Sequence, residues 1–138
     1  MVRGAKRGKS TYIIVSWKRS DKSSSFVVQK GKGMKINILG TEYTITEQTA
    51  QENNLLQGAD GYCDWTSKEI VISKDIDGNL HNLDWYKRKV KRHEILHAFA
   101  AESGLNECSD WARNEEMIDW IAYQGLKIIE AWKAAGAI

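Results

Sequence analysis

The chain has 138 residues, 42% of them hydrophobic, and a formal net charge of +2. That length supports one compact domain and excludes two comfortable ones. Cys63 and Cys108 form no CxxC pair and read as reduced thiols of a cytoplasmic protein rather than a disulfide scaffold, and no apolar run approaches the roughly 18 residues of a membrane span.

The net charge hides a split. Residues 1–33 hold nine Lys/Arg against one acid, Asp21, for +8, while residues 34–138 hold eleven against seventeen, for −6. A basic arm on an acidic domain offers a surface to nucleic acid or to an anionic membrane face, and it also resembles a transit peptide. Gly31-Lys32-Gly33 is what a purine-rich ribosome-binding site would encode. On that reading Met34 is the natural start and residues 1–33 are a translated leader; otherwise they form a flexible arm. The near P-loop Gly4 to Ser10 has three residues between its glycines where a phosphate cradle needs four, so nucleotide binding is rejected.

From Met34 onward the pattern becomes that of a folded domain. Ile36 and Ile38, then Tyr43 and Ile45, alternate with polar residues around Gly40-Thr41 and predict a β-hairpin. Thr49 to Gln57 is expected as a short helix, ended by Gly58-Ala59-Asp60-Gly61. Tyr62–Trp65 and Glu69–Ser73 read as a second strand pair, and Lys74–Leu80 as a loop. Asp75, Asp77 and Asn79 evoke a calcium loop, but Leu80 and Tyr86 stand where an EF-hand needs Gly and Glu.

Two long helices follow. The first starts near Asn82 or Asp84 and ends at Ser103-Gly104-Leu105, with Gly104 as the left-handed stop. Tyr86, Val90, His93, His97 and Ala100 share its inner face, leaving Lys87, Lys91 and Glu102 for water. The second runs from Ser109 or Asp110 through Trp132, with Trp111, Glu115, Ile118, Ala122 and Ile129 on one stripe. Gly125 inside it predicts the close approach of another element.

The chemistry sits on these helices. In His93-Glu94-Ile95-Leu96-His97 the two histidines lie one turn apart on one face, so both imidazoles can reach a single zinc ion with Glu94 beside it. Two of the chain's three histidines are spent here. A catalytic zinc commonly takes two His, one carboxylate and an open position. Glu115 is the chosen carboxylate, and Glu116 competes with it. Asp119, one turn on, can accept from the far nitrogen of a ligand histidine and fix its tautomer. His81 reads as a residue near the helix start, Tyr123 as a core or surface tyrosine, and the oxyanion donor stays unassigned.

HEILH followed by NEEMID resembles the gluzincin branch of the zincin metallopeptidases, with its HExxH and N-E-x-x-x-D pattern. On that resemblance His93, His97 and Glu115 correspond to zinc ligands, Glu94 to the catalytic base and Asp119 to the supporting carboxylate. Residues from about Met34 to Trp132 are also similar to short zincin-like proteins of phages and prophages. More distantly, Glu115 to Ala122 is similar to the glutamate helix of ImmA/IrrE-type peptidases. Lys91 and Arg92 depart from the pattern, since zincins more often carry an uncharged residue before the first histidine.

The expectation is an α+β, minimal zincin-like fold: a small twisted antiparallel or mixed sheet packed on two antiparallel helices with Zn2+ between them. Its leading function is a zinc-dependent peptidase that binds an extended peptide or protein substrate beside the Glu69–Ser73 strand. One alternative is a phage-type regulator that keeps the fold to hold a protein partner. The other is a nucleic-acid binder using residues 1–33, with a structural zinc completed by Cys63 or Cys108. Oligomeric state and substrate are not written in the residues.

Overall fold

The computed structural model describes residues 33–76 and 79–138. The basic arm and the near P-loop lie outside the described residues, as do Asp77 and Gly78 of the loop before the first helix. The described chain is α+β, with a four-stranded mixed sheet and three helices.

Strands β1 (Met34–Ile38) and β2 (Thr41–Gln48) form the expected antiparallel hairpin. Its two-residue turn, Leu39-Gly40, has positive φ at both positions (49° and 93°), which matches the twist of a tight hairpin. Asn37 Oδ1 accepts from the Gly40 N–H at 3.0 Å and closes the turn. Strands β3 (Gly61–Asp64) and β4 (Glu69–Ser73) are antiparallel, and β4 runs parallel to β2, giving the order β1-β2-β4-β3.

Two strand expectations need correction. Glu69–Ser73 is not an edge strand but lies between β2 and β3, where no added peptide can pair with it. Its unbroken buried run Ile70-Val71-Ile72-Ser73 is that of a strand covered on both faces. The Thr49–Gln57 helix is also absent. Thr49 and Glu52 exchange capping bonds (2.7 and 3.2 Å), but only a single 3-10 turn at Asn54–Leu56 follows before Gly58 at φ 78°. The cap is there without a helix to propagate.

Helix α1 (Leu83–Glu102) starts on Asn82, whose side chain accepts from the Trp85 N–H, and stops at Gly104 in the left-handed conformation. One-turn helix α2 (Leu105–Cys108) and a 3-10 turn at Trp111–Arg113 follow. The next long helix, α3 (Glu115–Ala134), begins later than Ser109 or Asp110, because Asn114 caps it by accepting from the Met117 N–H at 3.0 Å. Trp111 therefore lies off the helix.

The layers are sheet, α1, then α3. Ile38, Tyr43, Ile45, Cys63, Ile70 and Ile72 from the sheet enclose Val90 and Ala98 of α1, so only α1 packs extensively on the sheet. Helix α3 lies antiparallel along the far side of α1, with contacts running from His97–Glu115 through Lys89–Asp119 to Trp85–Tyr123. Past Tyr123 it continues for roughly three turns. Gly125 does not mark a close approach within the described chain: a Cβ there would meet nothing within 4 Å.

Glu102, expected in water, anchors α1 to the sheet instead. It accepts from Tyr43 Oη (2.7 Å) and Thr41 Oγ1 (2.9 Å) and pairs with Lys68 Nζ. Those bonds hold its carboxyl down at about 2. Burial, reinforced by Glu102, pushes the Tyr43 phenol up. No described helix is long and apolar enough to cross a membrane.

Candidate metal centre

The one-turn spacing of His93 and His97 delivers both rings to the α1–α3 seam, and the Asn114 cap makes Glu115 the first residue of α3, facing them. His93 Nε2 and His97 Nε2 stand 3.1 Å apart. Glu115 completes the triangle, its Oε2 3.1 Å from His93 Nε2 and its Oε1 3.3 Å from His97 Nε2. Among the described residues these three make the one group of His, Cys, Asp and Glu side chains whose donor atoms converge this way.

The spacing fits a small tetrahedral cation. Ligand atoms about 2.1 Å from zinc at tetrahedral angles stand roughly 3.4 Å from one another. The donor set, two imidazoles and a carboxylate, is also that of an open catalytic zinc site.

The surroundings argue the same way. Asp119 Oδ1 lies 3.1 Å from His93 Nδ1 and also pairs with Lys89 Nζ. With Asp119 accepting the Nδ1 proton, His93 turns the lone pair of Nε2 toward Glu115 and His97. Three converging Lewis bases then repel unless a cation or proton stands among them. Glu115 also sits in the first turn of α3, where the helix dipole favours negative charge.

Glu94 occupies a different position. It is 5% exposed, and its Cγ lies against Gly61 at the start of β3. Burial pushes its carboxyl up to about 7; Glu115 adds to the rise and His97 opposes it. A Cβ on Gly61 would lie 3.3 Å from Glu94 Cγ, 3.1 Å from Val90 Cγ1 and 3.0 Å from the Val71 carbonyl oxygen. The absence of a side chain at residue 61 is thus what lets the edge strand pass this close to Glu94. Nearby, Tyr86 Oη donates to Asp60 Oδ2 at 2.6 Å and braces the start of β3 against α1.

The structure brings His93, His97 and Glu115 together, with Asp119 behind His93 and Glu94 alongside. Glu116 is exposed and outside the group. His81 is exposed, one residue before the α1 cap, and Tyr123 is exposed against Trp85. Neither cysteine joins: Cys63 is buried in the sheet–α1 core, which pushes its thiol up to about 12, and Cys108 donates to the Gly104 carbonyl. Sequence reasoning missed Lys89, Gly61 and Asp60. Lys89 was findable, one turn before His93 on the same helix. Arg92, a departure from the zincin pattern, donates from Nε to the Ala122 carbonyl at 2.7 Å and clamps α3 to α1. In comparisons with protein-family models, curated proteins and solved structures, nothing matches this chain.

Proposed function

We propose that the protein is a zinc-dependent peptidase of minimal zincin type, working in the cytoplasm on an extended peptide segment. The observation that carries this reading is the convergence of His93, His97 and Glu115 donor atoms at 3.1–3.3 Å, with the buried Glu94 on the same helix as the histidines. In it, His93, His97 and Glu115 hold the metal. Bound zinc supplies Lewis acidity, polarising a scissile carbonyl and making water a better nucleophile near neutral pH.

The remaining work falls to the chain's own groups. Glu94, buried beside the donor group, takes the proton of the attacking water and delivers it to the leaving amine. Asp119 keeps the His93 ring turned into the site, and its ion pair with Lys89 holds Asp119 in place. Because β4 is interior, an extended substrate would add beside β3, an edge strand of the described sheet, which Gly61 brings against Glu94.

The test compares wild type with Glu94→Gln for zinc content and for cleavage of a broad peptide library. The variant is expected to keep its zinc and to lose roughly 10²–10⁴-fold in cleavage rate, the usual contribution of a general base. Zinc in both proteins with cleavage by neither points instead to a protein-binding module on this fold. Equal cleavage by the two removes Glu94 from the chemistry.

A further inference from the structure

Asp60, Tyr86, Lys89 and Asp119 form one polar line that ends on the His93 ring. Tyr86, Lys89 and His93 recur at three- and four-residue spacing, so they stack along one face of α1. Asp60, the residue before β3, accepts the Tyr86 O–H at 2.6 Å, and its own carbonyl accepts from the Ser73 N–H at 2.9 Å. The Tyr86 ring is packed against the sheet–α1 core. Lys89 Nζ lies 5.7 Å from the centre of that ring, within cation–π reach, and pairs with Asp119 of α3. Asp119 in turn meets His93 Nδ1 at 3.1 Å.

Charge alone does not account for Lys89. An ammonium one helical turn from His93 repels any divalent cation held by that ring and so weakens its binding. The Lys89 side chain is only 13% exposed, and a charge so nearly buried needs fixed partners. What it contributes is direction. The Asp119 side chain is 45% exposed, and its ion pair with the ammonium restricts the rotamers open to it. The ammonium rests over the Tyr86 ring, and that ring is held by Asp60 and the core. We infer that Asp60 and Tyr86 are positioning residues of the metal centre, joining the start of β3 to the His93 ring through Lys89 and Asp119. On this assignment, which rests on His93, His97 and Glu115 being metal ligands, the strand proposed to receive substrate shares one network with the ion. A change in how β3 sits on α1 then alters the hold on the metal.

The experiment is zinc affinity of the full chain by competition with a fluorescent chelator, with circular dichroism to confirm the fold. Tyr86→Phe keeps the ring and removes only the hydroxyl. It is expected to weaken zinc binding roughly three- to ten-fold, the range of one hydrogen bond. Asp60→Ala, which breaks the same bond from the other side, should weaken it at least as much. Lys89→Met is the sharper probe, because charge and positioning predict opposite signs. Loss of a repelling charge would tighten binding, whereas loss of the group that anchors Asp119 weakens it, and weakening is expected. The effect of Tyr86→Phe should vanish in an Asp119→Asn background, since the path runs through Asp119; a general loosening of the fold would persist there. Wild-type affinity in Tyr86→Phe, tighter binding by Lys89→Met, or a Tyr86→Phe effect undiminished in Asp119→Asn would each overturn the inference and leave the ligand triangle standing. A wild type that binds no zinc would remove the triangle and the network's role together.

Discussion

The two sides of α1 are held by different forces. Toward the sheet, Val90 and Ala98 enter a dry cluster of isoleucines with Tyr43 and Cys63, and the polar groups at the far end are gathered by Glu102. Toward α3, the seam is built from Lys89, Arg92, His93 and His97 against Glu115, Asp119 and a backbone carbonyl, with Ile118 and Ala122 as its small apolar part. The first seam is stable because water has left it. The second must balance its charges, and its three converging donor atoms need a cation or a proton among them. The sheet and α1 form the scaffold, and on the proposed reading α3 is the part whose docking would answer to metal.

That contrast can be broken at either seam. The largest stability effect belongs to the dry side: Ile72→Ala is expected to cost about 2–5 kcal/mol in denaturant unfolding, as for a fully buried isoleucine. The loss should be the same in excess zinc and in chelator, because the side chain belongs to the sheet–α1 core and is not one of the donor groups. A loss that changes with zinc would mean the two seams are not separate. Asp119→Asn tests the wet side. It should lower zinc affinity roughly 10–100-fold in a competition titration with a fluorescent chelator, the usual cost of losing a carboxylate behind a ligand histidine. Unchanged affinity would show that Asp119 does not orient His93.

The smallest effect is a pH dependence. Glu102 falls from an ordinary 4.5 to about 2 in the folded chain. A depressed acid stabilises the fold above its unfolded value, and that contribution disappears as pH falls from about 4.5 toward 2. Glu102→Gln should therefore be less stable than wild type at pH 7, with the gap closing across that acid window in thermal unfolding. A gap independent of pH would assign the loss to packing alone.

Local signals in the sequence served well wherever the determining contacts were local. The hairpin followed from alternation around Gly40, the end of α1 from Gly104, and the shared face of His93 and His97 from their four-residue spacing. Errors arose where distant partners decide. Several residues before α3 can cap a helix, and only the fold selects Asn114, which moves Glu115 to the first turn. Strand order depends on pairing between β2 and β4 across the intervening β3, so the position of Glu69–Ser73 was misjudged. Its unbroken apolar run was the clue to an interior strand. Glu102 looked like a solvent residue because the groups that hold it, Thr41, Tyr43 and Lys68, lie some 34 to 61 positions away. Gly61 was read as a break, although its function is to let β3 approach Glu94.

The central claim is that α1 and the start of α3 grip one divalent cation through His93, His97 and Glu115. Elemental analysis of purified wild type, Glu115→Ala and Glu116→Ala tests it most directly. One zinc per chain is expected in wild type and in Glu116→Ala, with little retained by Glu115→Ala. Wild type without stoichiometric metal, or metal lost with Glu116 and kept without Glu115, would contradict it.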